Sequence, residues 1–155
     1  MSGVPGIKEL QETLADEHAA VYLFGLMGAR VSERTNADLL GLVTDSFSKH
    51  RDNRDALSAL INQLGEVPVA AAVAYQPPGP INTPAQIQRV AAKLEQQMTL
   101  RYGSLIAATS GKQRTWAISA SSKVRSGRST TASSPGISPA SELPPTPLSP
   151  SHYLA

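Results

Sequence analysis

The chain has 155 residues, enough for one domain, and its 14 Lys and Arg against 12 Asp and Glu give a formal net charge of +2. It contains no cysteine, which excludes disulfides, zinc knuckles, iron–sulfur clusters and thiol catalysis. It has neither a secretory leader pattern nor the roughly 18 consecutive apolar residues of a membrane span, so we predict a soluble, cytoplasmic protein.

The first predicted element is an amphipathic helix at residues 7–30. Its apolar positions alternate at spacings of three and four, as expected for a helix that packs in a bundle. Glu17 is the only charged residue on this apolar stripe, and His18 is expected at its flank.

The second predicted helix covers residues 36–64, and its apolar stripe, which includes Phe47 and Leu57, is interrupted by His50 and Arg54. Thr35 and Asp38 are spaced as in a capping box, and Gly65 suits the left-handed residue that ends a helix. The short link at residues 31–35 predicts an antiparallel hairpin of the first two helices.

Residues 65–83 contain four prolines and two glycines and cannot continue a helix, although residues 67–75 are mostly apolar. Fully extended, this segment would span roughly 60 Å, more than the ~40 Å of the preceding helix. It is therefore long enough to cross the bundle, so that the third helix runs parallel to the second. We expect its apolar part to cover bundle surface.

The third predicted helix, residues 84–108, has the clearest start. Thr83 is suited to the N-cap, Pro84 to the first helical position, and Gln86 to closing a capping box. Glu95 lies near the middle of this helix, at the border of its apolar stripe.

With these lengths and directions, Glu17, His50 and Glu95 are expected at one height in the bundle, with Arg54 one turn away. One interpretation is a binding or redox site of carboxylates and histidine. The other is a buried ion pair between Glu17 and Arg54 or Arg51, with His50 hydrogen-bonded, that fixes the register of the helices. Peripheral roles are expected for four residues near this layer, namely His18, Tyr22, Arg51 and Tyr102.

The fourth predicted helix is incomplete. Residues 112–120 have the pattern of a helix start, but residues 121–155 are rich in Ser, Pro, Thr and Arg, with six prolines, and predict a disordered tail. The folded domain is thus expected at residues 1–120. Two explanations are open for the tail: a genuine disordered extension, or translation in a shifted reading frame.

A bundle without most of its fourth helix would expose an apolar groove, which we expect self-association or a protein partner to cover. The tail has few basic residues, among them Lys123, Arg125 and Arg128, and they are too sparse to predict nucleic-acid binding. No membrane partner is predicted.

Four stretches of the chain are informative together: LADEHAAVYLFGLMGARV at residues 14–31, HRDNRDAL at 50–57, INTPAQ at 81–86 and AAKLEQQMTLRYGSLIAA at 91–108. They resemble an actinobacterial family of ferritin-like domain proteins of unknown function. The resemblance covers about residues 7–120. It implies an all-α, ferritin-like antiparallel four-helix bundle with a long crossover between helices two and three.

The resemblance implies a shared fold more than shared chemistry. A ferritin-like di-iron site needs a Glu-x-x-His pair on each of two helices, and no histidine of this chain has Glu three residues before it. By position, only Glu17 and Glu95 correspond to the single carboxylates of such a site, so no iron or manganese cofactor and no catalytic residue is predicted. We therefore expect a non-enzymatic interaction or structural module. The alternative is a degenerate metal-binding or small-molecule-binding bundle related to di-iron oxidoreductases.

Overall fold

The fold is a bundle of four α-helices, seen in a computed structural model that describes the backbone of residues 4–132 and the side chains of residues 4–125. The helices are α1 (Ile7–Gly28), α2 (Glu33–Gln63), α3 (Pro84–Ala108) and α4 (Gly111–Ala132). No β-strand occurs in this part of the chain. None of its helices is both long enough and apolar enough to cross a membrane.

The helices form two hairpins, α1–α2 and α3–α4, that pack side by side. α1 packs against α2 and α3, and α4 packs against α3 and α2, so that α1 and α4 lie on one diagonal of the bundle. Residue 46 of α2 contacts residue 95 of α3. Further along the same two helices, residues 53 and 102 both bond to Glu17. The two helices therefore run parallel. The predicted all-α, ferritin-like bundle with a long crossover between α2 and α3 is confirmed.

The core consists of two apolar clusters, one toward each end of the bundle. The first contains Leu10, Leu14, Leu57, Ile61, Met98, Tyr102, Leu105, Ala117, Ala120 and Val124. The second contains Ala20, Leu23, Phe24, Met27, Val43, Ile81, Ile87, Val90, Ala91 and Leu94. Between them in α1, α2 and α3 lie Glu17, His50 and Glu95, all fully buried. Polar groups are therefore enclosed by apolar packing on both sides.

Local sequence signals correctly predicted the start of α3 and the end of α2. Thr83 and Gln86 form the predicted capping box at the start of α3, with Pro84 in the first turn. Gly65 has a φ of +81° just after α2, as predicted for the left-handed residue that ends this helix. The outer boundaries differ slightly from the predicted ones, since α1 ends at residue 28 and α2 at residue 63.

The predicted capping box of Thr35 and Asp38 at the start of α2 is wrong. The helix begins at Glu33, three residues earlier, with Ser32 as its N-cap. Backbone hydrogen bonds to the Ser32 carbonyl, including that from Asn36 at 2.9 Å, form this earlier turn. Asn36 itself has non-helical angles (φ −148°, ψ 51°), so the first turn is offset from the rest of α2 by a kink.

The crossover, residues 64–83, runs along α1, and backbone groups of the crossover form hydrogen bonds with side chains of α1. The Gln11 side chain donates to the carbonyl of Val67 (2.7 Å) and accepts from the N–H of Val69 (2.8 Å). The expected apolar cover is largely absent, because Val67 and all of residues 69–74 are exposed, and only Pro68 and Tyr75 in this stretch are half-buried.

The fourth helix continues past the predicted end at residue 120, to Ala132. Ala117, Ala120, Ser121 and Val124 are buried at helical spacings of three and four, so packing against α2 and α3 outweighs the weak helix propensity of the Ser-rich sequence. The prolines, which begin at residue 135, lie beyond the helix. The apolar groove predicted for an incomplete bundle is thus filled by α4. Residues 133–155 of the predicted tail lie outside the described part.

Candidate functional site

Glu17 is at the centre of a buried polar layer between the two apolar clusters. Its Oε2 atom lies 2.7 Å from Nδ1 of His50. Its Oε1 atom accepts hydrogen bonds from the Tyr102 hydroxyl (2.6 Å) and the Asn53 side chain (3.2 Å). Because a fully buried carboxylate is costly unless its oxygens are paired, these three partners are what allow Glu17 in the core.

His50 lies between the two carboxylates of this layer. Its ring stacks on Phe24, with centroids 5.3 Å apart and planes 12° from parallel. Nε2, on the side of the ring facing away from Glu17, is 3.5 Å from Glu95 Oε1, too long for a good hydrogen bond. Burial would lower the pKa of His50, but Glu17 and Glu95 outweigh it and raise that pKa from 6.5 to about 9. The imidazole is therefore a cation at neutral pH.

Glu95 is the second buried carboxylate. Its Oε1 atom accepts from the Ser46 hydroxyl (2.8 Å) and from the Lys49 ammonium group (2.7 Å). Burial would raise the pKa of Glu95, but the positive charges of His50 and Lys49 hold it below its usual value. The Oε2 atom of Glu95 and Nε2 of His50 are both buried without a hydrogen-bond partner.

The polar layer is electrically balanced. The two carboxylates are matched by the imidazolium of His50 and the ammonium of Lys49, which leaves no net charge in the layer. Burial, followed by the charge of Glu17, raises the pKa of Tyr102 well above 10, so its hydroxyl acts as a neutral donor. We use the name polar layer for these seven residues: Glu17, Ser46, Lys49, His50, Asn53, Glu95 and Tyr102.

The structure brings together three of the four residues predicted for this layer, namely Glu17, His50 and Glu95. Arg54 does not join them, which corrects that prediction: its guanidinium pairs with Asp55 at 2.7 Å on the outer face of α2. Arg51 is likewise on that face and pairs with Asp52. The expected ion pair of Glu17 with an arginine is therefore replaced by its contact with His50.

The residues predicted as peripheral have different positions. Tyr102 belongs to the polar layer through its bond to Glu17, whereas His18 and Tyr22 attach the crossover to α1. His18 Nε2 lies 3.1 Å from the carbonyl of Val69, and the ring of Tyr22 packs against that of Tyr75 at 5.6 Å.

Ser46, Lys49 and Asn53 were missed by the sequence reasoning. The predicted stripe on α2 followed the apolar residue Phe47 and then Arg54, whereas the buried stripe includes Ser46, His50 and Asn53. The two stripes differ by one residue on either side of His50. Both stripes have spacings of three and four and both reach buried Leu57, so helical spacing alone does not distinguish them.

A di-iron site of the ferritin type does not fit these residues. The two ring nitrogens of His50 face different carboxylates, so the ring and both carboxylates cannot bind one ion from a common side. Lys49 occupies Oε1 of Glu95, and Asn53 and Tyr102 occupy Oε1 of Glu17. Across the described residues, no group of three or more His, Asp and Glu has the arrangement of a metal site.

A family model covers most of the chain. Residues 9–138 match the domain of unknown function DUF4439. The chain belongs to this family. The match continues past residue 120, as α4 does, so the family-like segment does not end at the predicted break.

Two solved structures have similar folds. One is a conserved hypothetical protein from Mycobacterium tuberculosis, with 24% sequence identity and a TM-score of 0.74, covering 81% of this chain and 87% of that chain. The other is a dodecameric thioferritin, the bacterioferritin-related protein from Bacteroides fragilis, with 20% identity and a TM-score of 0.71, covering 81% of each chain. The comparison with curated proteins gives no match.

Proposed function

We propose that this DUF4439 protein is a non-enzymatic ferritin-like module that acts by association with protein chains, and first with a second copy of itself. The observation that carries the proposal is the polar layer, in which buried carboxylates are neutralised by Lys49 and His50. Catalytic bundles of this fold present such carboxylates to metal ions and substrate. Here the protein's own side chains take up most of their hydrogen-bonding capacity.

Exposed apolar side chains on the outer surface support association. Leu100 on α3 is 68% exposed and Ile118 on α4 is 49% exposed. The rings of Tyr102 and Trp116 are 6.1 Å apart, and because α3 and α4 are antiparallel, Leu100 and Ile118 lie at a similar height. The Bacteroides fragilis neighbour is described as a dodecamer, so bundles with this fold do assemble into larger particles.

The test is the mass of the full chain in solution, measured by size-exclusion chromatography with light scattering. We expect a mass above that of the monomer, and we expect Leu100→Lys combined with Ile118→Lys to reduce it. The control is Val73→Lys, which changes a still more exposed apolar residue on the crossover and should leave the mass unchanged. A wild-type chain that stays monomeric at high concentration contradicts the proposal.

A groove between α1 and α3 favours a second candidate, small-molecule binding. It has a volume of about 500 Å3, with Ala20, Leu94 and Met98 among its apolar lining and Asp16 and Arg101 among its polar lining. Pockets of this size and mixed lining hold small ligands. A panel of small apolar fragments, screened by ligand-observed NMR, should bind the wild type and not Ala19→Leu, which fills the groove. Equal binding to both would contradict this function.

A further inference from the structure

Lys49 is the only member of the polar layer that connects it to solvent. Its side chain is 14% exposed, while Glu17, His50 and Glu95 are completely buried. The flexible stem of Lys49 thus reaches inward from the surface to place its ammonium group 2.7 Å from Glu95 Oε1. Another cation can replace the Lys49 ammonium group without unpacking the core. His50 is fully buried, so its replacement would disturb the core.

Two buried atoms beside Lys49 are left without partners. They are Oε2 of Glu95 and Nε2 of His50. A carboxylate oxygen is a ligand atom for divalent metal ions, and an imidazole nitrogen becomes one when it gives up its proton. Nε2 lies 3.5 Å from the oxygen that Lys49 binds. Removing the ammonium group would leave the layer with one net negative charge and a buried carboxylate short of a cation.

We propose that Lys49 excludes divalent metal ions from the polar layer, because its ammonium group occupies the place beside Glu95 and His50 that such an ion would take. Without this charge, a divalent ion binds Glu95 and Nε2 of His50 while the imidazolium releases its Nε2 proton to solvent, and the charges of Glu17 and Glu95 then balance that of the ion. The chain thereby keeps the carboxylates of the fold while replacing a metal ion with a side chain. This role of Lys49 does not depend on how the protein associates.

The experiment compares the full wild-type chain with Lys49→Met, which keeps most of the length of the side chain and removes its charge. The probe is Mn²⁺, a hard ion that the methionine thioether does not bind well. Isothermal titration and the electron paramagnetic resonance signal of free Mn²⁺ measure binding in chelator-treated buffer. We expect Lys49→Met to bind one equivalent at least about tenfold more tightly than wild type, with a rise in melting temperature of roughly 5 °C at saturation.

Three further variants make the result specific. Lys93→Met removes an exposed lysine on α3 and should behave like wild type. Lys49→Arg keeps the positive charge and should also exclude Mn²⁺. Adding Glu95→Gln to Lys49→Met removes the proposed anionic ligand and should abolish the new binding.

Two results would overturn the proposal. One is stoichiometric Mn²⁺ binding by wild type that is as tight as that of Lys49→Met. The other is a Lys49→Met chain that binds no better than Lys93→Met. If Lys49→Met does not fold with or without Mn²⁺, the same titration is made with Lys49→Gln, which is uncharged but still donates a hydrogen bond. Absence of binding by that variant also overturns the proposal.

Discussion

Glu17 joins three helices through the partners of a single carboxylate. It lies on α1, accepts from His50 and Asn53 on α2, and accepts from Tyr102 on α3. Hydrogen bonds to charged groups contribute roughly 1.5–3 kcal/mol each, and more is lost when a buried charge is left short of a partner. Substitution of a single residue of the polar layer should therefore lower the free energy of unfolding substantially.

Removing the hydroxyl of Tyr102 tests this contribution. Tyr102→Phe keeps the ring in the core but takes away the 2.6 Å hydrogen bond to Glu17, so we expect the free energy of unfolding to fall by roughly 1.5–3 kcal/mol. The control is Tyr75→Phe, whose hydroxyl accepts a hydrogen bond at the surface, with an expected loss below about 1 kcal/mol. Urea unfolding measures both. Equal losses in the two variants would contradict the importance of the bond to Glu17.

His50 should make stability depend on pH in the alkaline direction. Its pKa is about 9 in the folded chain against 6.5 for the free side chain, so the folded state holds the proton that the unfolded state loses. This contribution is complete below about pH 6.5 and is lost as pH rises through 9, with a magnitude on the order of 3 kcal/mol.

Denaturant unfolding between pH 6 and pH 9.5 measures this effect. The decline should be present in wild type and absent in His50→Gln. His18→Gln, which changes the other histidine of the described residues, serves as control and should keep the decline. A wild-type stability that is flat over this range would show that His50 does not bind its proton more tightly in the folded state.

Some residues of the polar layer could be predicted because they interrupt an otherwise apolar helix stripe. Those outside the predicted stripes could not. Glu17 and His50 stand out because they are charged or titratable positions on otherwise apolar stripes. Ser46 and Asn53 are ordinary surface residues by type, and only their hydrogen bonds to Glu95 and Glu17 explain their burial. Such pairings join residues 49 and 36 positions apart, so no local pattern specifies them.

The individual helices differ in how far their own sequences define them. α3 begins with a complete capping box and a proline, and its predicted bounds agree with the structure. α2 begins where the backbone turns at Ser32, although Thr35 has the better capping pattern. α4 has few strong helix formers after residue 120, and its continuation to Ala132 could be recognised only from the surface on which it packs.

The capping box of α3 gives a direct comparison between two threonines. Thr83→Ala removes a side chain that accepts from the N–H of Gln86, with an expected loss of about 1 kcal/mol of stability. Thr35→Ala should cost only a few tenths of a kcal/mol, because Thr35 does not cap α2. Thermal and urea unfolding of the two variants tests this. A larger loss at Thr35 would favour the helix start expected from the sequence.

The second half of α4 can be tested at neighbouring positions. Val124→Asp would bury a carboxylate without a partner, so we expect a loss of several kcal/mol and reduced helix content by circular dichroism. Lys123→Asp makes a change to the same residue type at an exposed position of the same turn, and we expect little effect on stability. Similar melting temperatures for the two variants would contradict the packing of Val124 in the core.

At the level of the whole molecule, the bundle combines two apolar clusters with one charge-balanced polar layer. The hydrophobic spacing and the length of the crossover predicted the first three helices, their directions and the level of the buried charges, whereas the ferritin-like four-helix bundle was implied by the family resemblance. What they could not predict is the pairing of charges, since Lys49 rather than Arg54 supplies the second cation. From the sequence, Lys49 is on the side of α2 that is expected to face solvent.

The crossover also has a consequence for the order of folding. It separates the two hairpins in sequence. The contacts that close the polar layer across it are therefore long-range: Ser46 and Glu95 are 49 positions apart, and Glu17 and Tyr102 are 85 positions apart. Hairpin contacts are more local and should form first, which leaves the layer to close after the rate-limiting step. Tyr102→Phe should then accelerate unfolding while leaving the refolding rate nearly unchanged in stopped-flow experiments. Slower refolding by the full stability loss would instead place the layer in the folding nucleus.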